Sequence, residues 1–251
     1  MGDAAPPAHN YANGFTIALR IGETLYQALP EKFGDQLDPR PVSVTALDQP
    51  FIDPVALTDE GKVSREVTVS EGLIDLMNHL SHAKAVDGVS PGFFDRYVKN
   101  ITLDGTNRLN LPEIVDARYW TEEVKNDQMS YFNQMASMLM AINLSHHYLG
   151  HYTKYADKLP QSDNPMRPIN QFLTPEEWEA SVRAGTVNSL SCALATSGAQ
   201  ALFEAISRLP QRPAWADYIM PPFAQVSSLN KELADYEDGF LHGKLAALNT
   251  Q

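Results

Sequence analysis

The feature that most constrains the fold is a long stretch of helical periodicity over residues 121–158. Its apolar residues recur at steps of three and four, the spacing of side chains that share one side of an α-helix: Met129, Phe132, Met135, Met138, Leu139, Ile142 and Leu149. No proline or glycine interrupts this stretch before Gly150. Because such a helix is apolar on most of its circumference, other elements must enclose it. The sequence therefore predicts a central, buried helix.

Weaker signals on both sides of this stretch predict the surrounding elements. Ser70 and Thr174 are helix N-caps, and the pattern Thr-Pro-Glu-Glu completes a capping box with Glu177. Periodicity, small residues and β-branched residues predict further helices at 14–29, 187–209 and 229–248 and strands at 42–47 and 63–69. We expect an α+β fold, mainly α, with a small N-terminal sheet, in a single domain over 14–251 behind a loose lead-in at 1–13.

Composition excludes several classes of function. The formal net charge of −12 argues against a nucleic-acid partner, which requires a basic surface, and against anionic lipid. The sequence contains no run of about 18 apolar residues, so it predicts no membrane span. Cys192 is the single cysteine, so no internal disulfide can form. We expect a periplasmic or secreted protein if a signal peptide has been trimmed, and otherwise a cytoplasmic one; a peptide or protein is the expected partner.

Histidines near the end of the central helix carry the strongest chemical signal. His147 and His151 are four residues apart, which on a continuous helix places both imidazoles on one face, where they can share a metal ion. Zinc peptidases use this spacing in the pattern His-Glu-x-x-His, with the Glu as general base. Here Tyr148 occupies the position of that Glu. The metal half of the motif is present and the carboxylate is absent.

A second pair, His79 and His82, lies on the helix that Ser70 is expected to cap. Three residues separate the two histidines, so they are roughly on one side of that helix. They are either a second metal pair or the polar positions of a half-buried helix, and both interpretations stay open from the sequence.

Several segments, in chain order, resemble the gluzincin metallopeptidases of the CaaX-prenyl-protease/heat-shock-protease type. Residues 44–57 resemble the edge strand of that family, and 67–77 resemble its passage from a strand into a helix. Residues 147–152 resemble its His-Glu-Leu-Gly-His segment, changed here to His-Tyr-Leu-Gly-His. A weaker match over 188–206 corresponds to the helix that supplies the third zinc ligand.

This resemblance implies a zincin-like fold and a zinc site in which His147, His151 and Asn188 are the ligands. It also implies departures from ordinary peptidase chemistry. Tyr148 would replace the general base, and a phenol with a pKa near 10 cannot accept a proton from zinc-bound water as a carboxylate can. The neutral amide of Asn188 binds zinc far more weakly than a carboxylate. The resemblance thus implies a degenerate gluzincin, weak or inactive as a peptidase.

Three hypotheses follow. The chain is a metal-dependent hydrolase with altered chemistry, a non-catalytic binding or interaction module that kept the zincin fold, or a helical scaffold without zincin ancestry. In the first case a further ligand would come from one of several residues near the histidines or at the start of the next helix: His146, Glu176, Glu177, Glu179 or Asn188.

Overall fold

The computed structural model describes residues 11, 14–59, 62–105, 108–159, 167–209 and 211–245, so most of the expected lead-in lies outside the described residues. In chain order, the helices are α1 (Gly14–Gln27), α2 (Glu31–Gly34), α3 (Glu71–Val89), α4 (Phe93–Asn100), α5 (Glu122–Tyr148), α6 (His151–Tyr155), α7 (Pro175–Ser191), α8 (Ser197–Ser207), α9 (Ala216–Ile219) and α10 (Val226–Leu241). The strands are β1 (Val42–Thr45), β2 (Ile52–Asp59), β3 (Lys62–Ser70), β4 (Thr102–Leu103) and β5 (Leu109–Asn110), and 3₁₀ turns lie at Ala117–Tyr119 and Ile169–Gln171.

The predicted central helix is present as α5. The Thr121 side chain caps it by accepting a hydrogen bond from Val124 N at 3.3 Å. Helices α1, α3, α7 and α8 pack around it, and β2 and β3 lie against it near its C-terminal end. Nearly every residue of its second half is buried, as the apolar circumference predicts. The mainly helical α+β class expected from the sequence is confirmed.

The helix does not continue to residue 158. It ends at Tyr148, and Gly150 takes the left-handed conformation with φ of +81°, which turns the chain before α6 begins at His151. Glycine adopts this conformation without a Cβ penalty and commonly ends a helix in this way. The expectation that His147 and His151 lie on one continuous helix is therefore wrong, because the turn at Gly150 separates them.

The three longer strands, all in the N-terminal part of the chain, form a small sheet with strand order β1-β3-β2. Strand β1 runs parallel to β3, and β2 runs antiparallel to it. Pro54 lies inside β2, opposite Val67, and it is tolerated because β2 is an edge strand whose outer side lacks a strand partner in the described part of the chain. At the end of β3, Ser70 caps α3 by accepting a hydrogen bond from Leu73 N at 3.0 Å.

The C-terminal helices depart from expectation in two places, and the first is that the helix expected over 229–248 runs instead over Val226–Leu241. The single helix expected over 187–209 is wrong: α7 ends at Ser191 and α8 begins at Ser197. Ala193 has φ of 59°, a left-handed value that is uncommon for a residue with a side chain. The carboxylate of Glu237 on α10 accepts hydrogen bonds from Thr196 N and Oγ1, which fixes the new helix start. The capping box at Thr174 and Glu177 is confirmed.

Helices α5 and α7 approach closely enough to bring their backbones together. A Cβ built on Gly185 would lie 2.7 Å from the backbone nitrogen of Ile142. This close approach places the first turns of α7 beside the last turns of α5, where the histidines lie. In the described part of the chain, no helix is both long and apolar enough to span a bilayer.

Candidate functional site: the histidines at the end of the central helix

The rings of the two histidines predicted to share a metal contact different neighbours. His147 Nε2 lies 2.9 Å from the backbone oxygen of Glu66 on β3. His151 Nδ1 lies 3.2 Å from His146 Nδ1 and 3.2 Å from Ser181 Oγ on α7. The turn at Gly150 thus pairs His151 with His146, while His147 reaches the sheet on another side of α5.

His147 connects the central helix to the sheet. Because a carbonyl oxygen only accepts hydrogen bonds, Nε2 carries the hydrogen and donates it to Glu66. The side chain is buried, and this burial, with the nearby charge of Arg65, lowers the pKa of His147 to about 4, although the bond to Glu66 acts in the opposite direction. The neutral ring also packs against Tyr152, with ring centroids 4.9 Å apart.

Tyr148, at the position of the missing general base, is a packing residue. Its ring stacks on Phe33 of α2 with centroids 4.6 Å apart and planes inclined by 21°. The side chain is buried, and burial raises the pKa of the phenol above its ordinary value. The hydroxyl has no hydrogen-bond partner among the described residues. Tyr148 is therefore neutral and cannot accept a proton in place of a carboxylate.

Asn188, the expected third ligand, is fully buried on α7, and neither polar atom of its amide has a hydrogen-bond partner among the described residues. The carboxylates that the sequence suggested as alternative metal ligands either accept hydrogen bonds from other residues or are exposed. Glu177 accepts hydrogen bonds from Lys154 Nζ, Tyr155 Oη and Thr174 N. Burial raises the pKa of Glu177, but these three donors outweigh it and lower the pKa to about 2. Glu176 and Glu179 are exposed.

His146, His151 and Ser181 form a compact cluster where α5, α6 and α7 meet. Ser181 Oγ lies 3.2 Å from each Nδ1 and donates its own hydrogen to Glu177 O at 2.9 Å. His146 and Ser181 are fully buried, and 7% of His151 is exposed. Burial lowers the pKa of both histidines, most strongly that of His146, so both rings are neutral at pH 7.

The residues expected to hold zinc do not fit a zinc site as arranged here. His147 donates Nε2–H to a backbone carbonyl and its remaining nitrogen, Nδ1, is buried without a partner, while His151 Nδ1 is directed into a different cluster, so the two rings do not converge. Within the described residues, no group of three or more His, Cys, Asp or Glu side chains is arranged to hold a metal ion. The metal roles of His147, His151 and Asn188 stay predictions, and no catalytic step through zinc follows from this geometry.

The two histidines of the second pair make different hydrogen bonds, although both rings pack against Tyr11. His79 Nδ1 lies 2.9 Å from Tyr97 Oη, and His82 Nε2 lies 2.7 Å from the backbone oxygen of Tyr119. The ring of Trp120 packs edge-on against His82 with centroids 4.3 Å apart. Both histidines are buried, more deeply than a half-buried helix would suggest. Their contacts connect α3 to α4 and to the segment that precedes α5.

A pocket of about 650 Å³ lies away from the histidines, and the sequence did not predict it. Its walls come from the connection between β1 and β2, the turn at Ile169–Gln171 and the start of α9. Phe51, Trp215 and Tyr218 are its buried aromatic residues, and the Phe51 and Tyr218 rings lie 4.7 Å apart. The only sequence signal was the proline and aromatic content of residues 214–230, which gives no indication that the other two segments meet there.

Two buried polar groups lie behind the walls of this pocket. The buried indole nitrogen of Trp215 has no hydrogen-bond partner among the described residues, so a donor is left over. Asp53 on β2 is buried close to Tyr218, and it accepts a hydrogen bond from Ile169 N at 3.2 Å. Burial raises the pKa of Asp53 well above its ordinary value. The pocket itself combines an aromatic floor with an exposed rim of polar and apolar residues.

No family model, curated protein or solved structure matches this chain. Its function therefore has to be inferred from its own residues and their arrangement.

Proposed function

We propose that this protein is a non-catalytic binding module on a zincin-like scaffold, and that the aromatic pocket is its ligand site. One observation carries the proposal: the residues at the peptidase positions serve packing. His147 is hydrogen-bonded to the backbone of β3, and Tyr148 is stacked on Phe33. A general base and a metal ligand need lone pairs that face a substrate, and the unpartnered lone pairs of His147 Nδ1 and of the Tyr148 hydroxyl are buried.

The zincin-like part of the proposal is supported by the order of the elements. The segments that resemble the gluzincins correspond to β1 and β2, to the passage from β3 into α3, and to the end of α5. The sheet lies next to the central helix, and the contact from His147 to Glu66 joins them. Hydrolysis is not part of the proposal, because it would require a carboxylate base that this arrangement does not supply.

The pocket defines the class of ligand. Aromatic and proline side chains form its floor, which favours a ligand with an apolar or aromatic body. The net charge of −12 disfavours anions. A neutral or cationic aromatic molecule, or a peptide side chain of that kind, meets these requirements.

The neutral fluorophore 1-N-phenylnaphthylamine tests the pocket directly, because its emission rises on transfer to an apolar site. Ala214 is exposed at the rim, so Ala214→Trp should fill the mouth and abolish the emission rise. Ala234 is exposed on α10 and does not line this pocket, so Ala234→Trp is the matched control and should behave as the parent chain.

Equal probe binding by both tryptophan variants would overturn the assignment of the pocket. A parallel assay with unstructured peptides and added Zn²⁺ tests the absence of catalysis. We expect no cleavage above the rate without protein. Zinc-dependent cleavage that disappears in His147→Asn would instead restore the peptidase hypothesis.

A further inference from the structure

We propose that the aromatic pocket binds a small organic ammonium cation, and that this cation displaces Arg108 from its ion pair with Asp48. The inference rests on the proposed function, because it specifies the ligand class of the same pocket. It adds a requirement for positive charge and a competing side chain from a distant part of the chain.

The charge of the pocket lining favours a cation. Among the described residues that line the pocket, Asp48 is the charged one, and the others are apolar, aromatic or neutral polar residues. The Asp48 side chain is 72% exposed, so its carboxylate is open to a ligand that enters from solvent. A positive group bound in this pocket would meet a carboxylate at the rim and aromatic rings at the floor.

Two further carboxylates add to the negative charge near Asp48. Partial burial raises the pKa of Asp75 on α3, and the charges of Asp48 and Glu113 raise it further, although His79 acts in the opposite direction. Such an effect requires the charges to lie near one another. Arg108 neutralises one of these carboxylates, so the potential at this side of the rim stays negative and attracts a second cation.

Arg108 reaches Asp48 from a separate part of the chain. It lies between the short strands β4 and β5, and its Nη2 is 2.9 Å from Asp48 Oδ2. The carboxylate of Asp104 accepts a hydrogen bond from Arg108 N at 2.9 Å, which fixes the backbone, while the side chain is 61% exposed and extends to the rim. Because an exposed ion pair contributes little stability, exchange of the guanidinium for a ligand cation costs little.

The aromatic floor favours an ammonium group on an apolar body. Phe51, Trp215 and Tyr218 are buried, and the attraction of a cation to an aromatic face is strongest over tryptophan and where water is excluded. A ligand that carries both parts can contact the rings and the Asp48 carboxylate together, which offsets the loss of the Arg108 ion pair. The pocket volume of about 650 Å³ is in the range of sites for small molecules.

Two phenols of nearly the same shape test the charge requirement by calorimetry on the full chain at pH 6.5. In 4-hydroxyphenyltrimethylammonium the quaternary atom is a nitrogen cation, and in 4-tert-butylphenol it is a neutral carbon. A difference in affinity between them therefore measures the effect of charge. We expect the cation to bind about tenfold more tightly, although the neutral compound is the more hydrophobic, and we expect added sodium chloride to weaken binding of the cation alone.

Four variants assign this difference to residues. Asp48→Asn keeps the shape of the rim and should abolish the preference for the cation. Arg108→Gln removes the competing guanidinium and should tighten cation binding by about threefold, with no change for the neutral compound. Asp235→Asn and Lys231→Gln are the matched controls, because they change the same charges in an exposed ion pair on α10 that does not line the pocket. Both should bind the two compounds as the parent does.

Equal binding of the two compounds by the parent chain would overturn the inference and leave the pocket as a ligand site. A preference for the cation that persists in Asp48→Asn would overturn it too, because the cation would then bind elsewhere. Weaker cation binding by Arg108→Gln would show that Arg108 supports the ligand and does not compete with it. If neither compound binds the folded parent, the inference fails, and the emission test with 1-N-phenylnaphthylamine decides separately whether the proposed function fails with it.

Discussion

The imidazole Nε2 of His147 lies 2.9 Å from the backbone oxygen of Glu66, and this bond ties the end of the central helix to the middle strand of the sheet. A histidine at this position in a peptidase would face a metal; here it faces the backbone of a neighbouring element. The first two predictions follow from this contact.

His147→Ala should lower the free energy of unfolding by about 2 kcal/mol or more, because it leaves the Glu66 oxygen without its donor and opens a cavity. His147→Gln is the matched variant, since its side-chain amide can donate to the same oxygen, and it should recover part of the loss. Urea unfolding at pH 7.5 measures both. Equal stability of all three proteins would show that the bond contributes nothing.

Acidification should destabilise the protein through His147. Its pKa is about 4 in the folded chain against 6.5 in the unfolded chain, so the unfolded state binds more protons between these values. The contribution is fully present above pH 6.5, is lost as the pH falls, and levels off near pH 4, with a total of about 3 kcal/mol. Urea unfolding across this range should give a shallower pH dependence for His147→Gln than for the parent. Parallel curves would contradict the prediction.

Tyr148→Glu should destabilise the chain without creating a peptidase. The new carboxylate would be buried against Phe33, at a cost of about 3 kcal/mol or more. Tyr148→Phe removes only a hydroxyl that has no partner, so its stability should be close to that of the parent. Thermal unfolding and a peptide-cleavage assay check both expectations. Gain of zinc-dependent cleavage in Tyr148→Glu would show that the side chain reaches a working site.

Gly185→Ala should cost about 1–3 kcal/mol, because its Cβ would lie 2.7 Å from Ile142 N and 3.0 Å from Ile142 Cα, and backbone atoms cannot move aside as a side chain can. Gly88→Ala on α3 is the matched control. Its Cβ would meet nothing within 4 Å, so it should stabilise the helix by up to about 1 kcal/mol. Urea unfolding distinguishes them, and a neutral Gly185→Ala would mean that α5 and α7 can separate at little cost.

Asp53→Asn should make the protein more stable than the parent at pH 8. Burial raises the folded pKa of Asp53, so its stabilising contribution is complete below the unfolded value near 3.8 and declines as the pH rises towards the folded value. The asparagine oxygen can still accept from Ile169 N, so the variant should match the parent at pH 4 and exceed it at pH 8. Thermal unfolding at the two pH values tests this, and a variant that is less stable at pH 8 would contradict it.

Local sequence signals determined much of the secondary structure. The apolar repeat predicted α5, Ser70 predicted the start of α3, and Thr174 with Glu177 predicted the start of α7. Each of these signals acts over a few residues, because helix periodicity and capping depend on neighbours within one or two turns. For that reason they can be read without knowing what packs against them.

Contacts between distant segments decided the rest. Gly150 was visible in the sequence, but only the packed structure shows that its turn directs His151 towards His146 and Ser181 and leaves His147 to Glu66. The break at Ala193 has no glycine or proline to mark it, and the aromatic pocket needs segments more than a hundred residues apart. The sequence alone predicted α5 and the starts of α3 and α7, while tertiary packing determined where each ring points, because side-chain direction depends on the neighbours that the fold supplies.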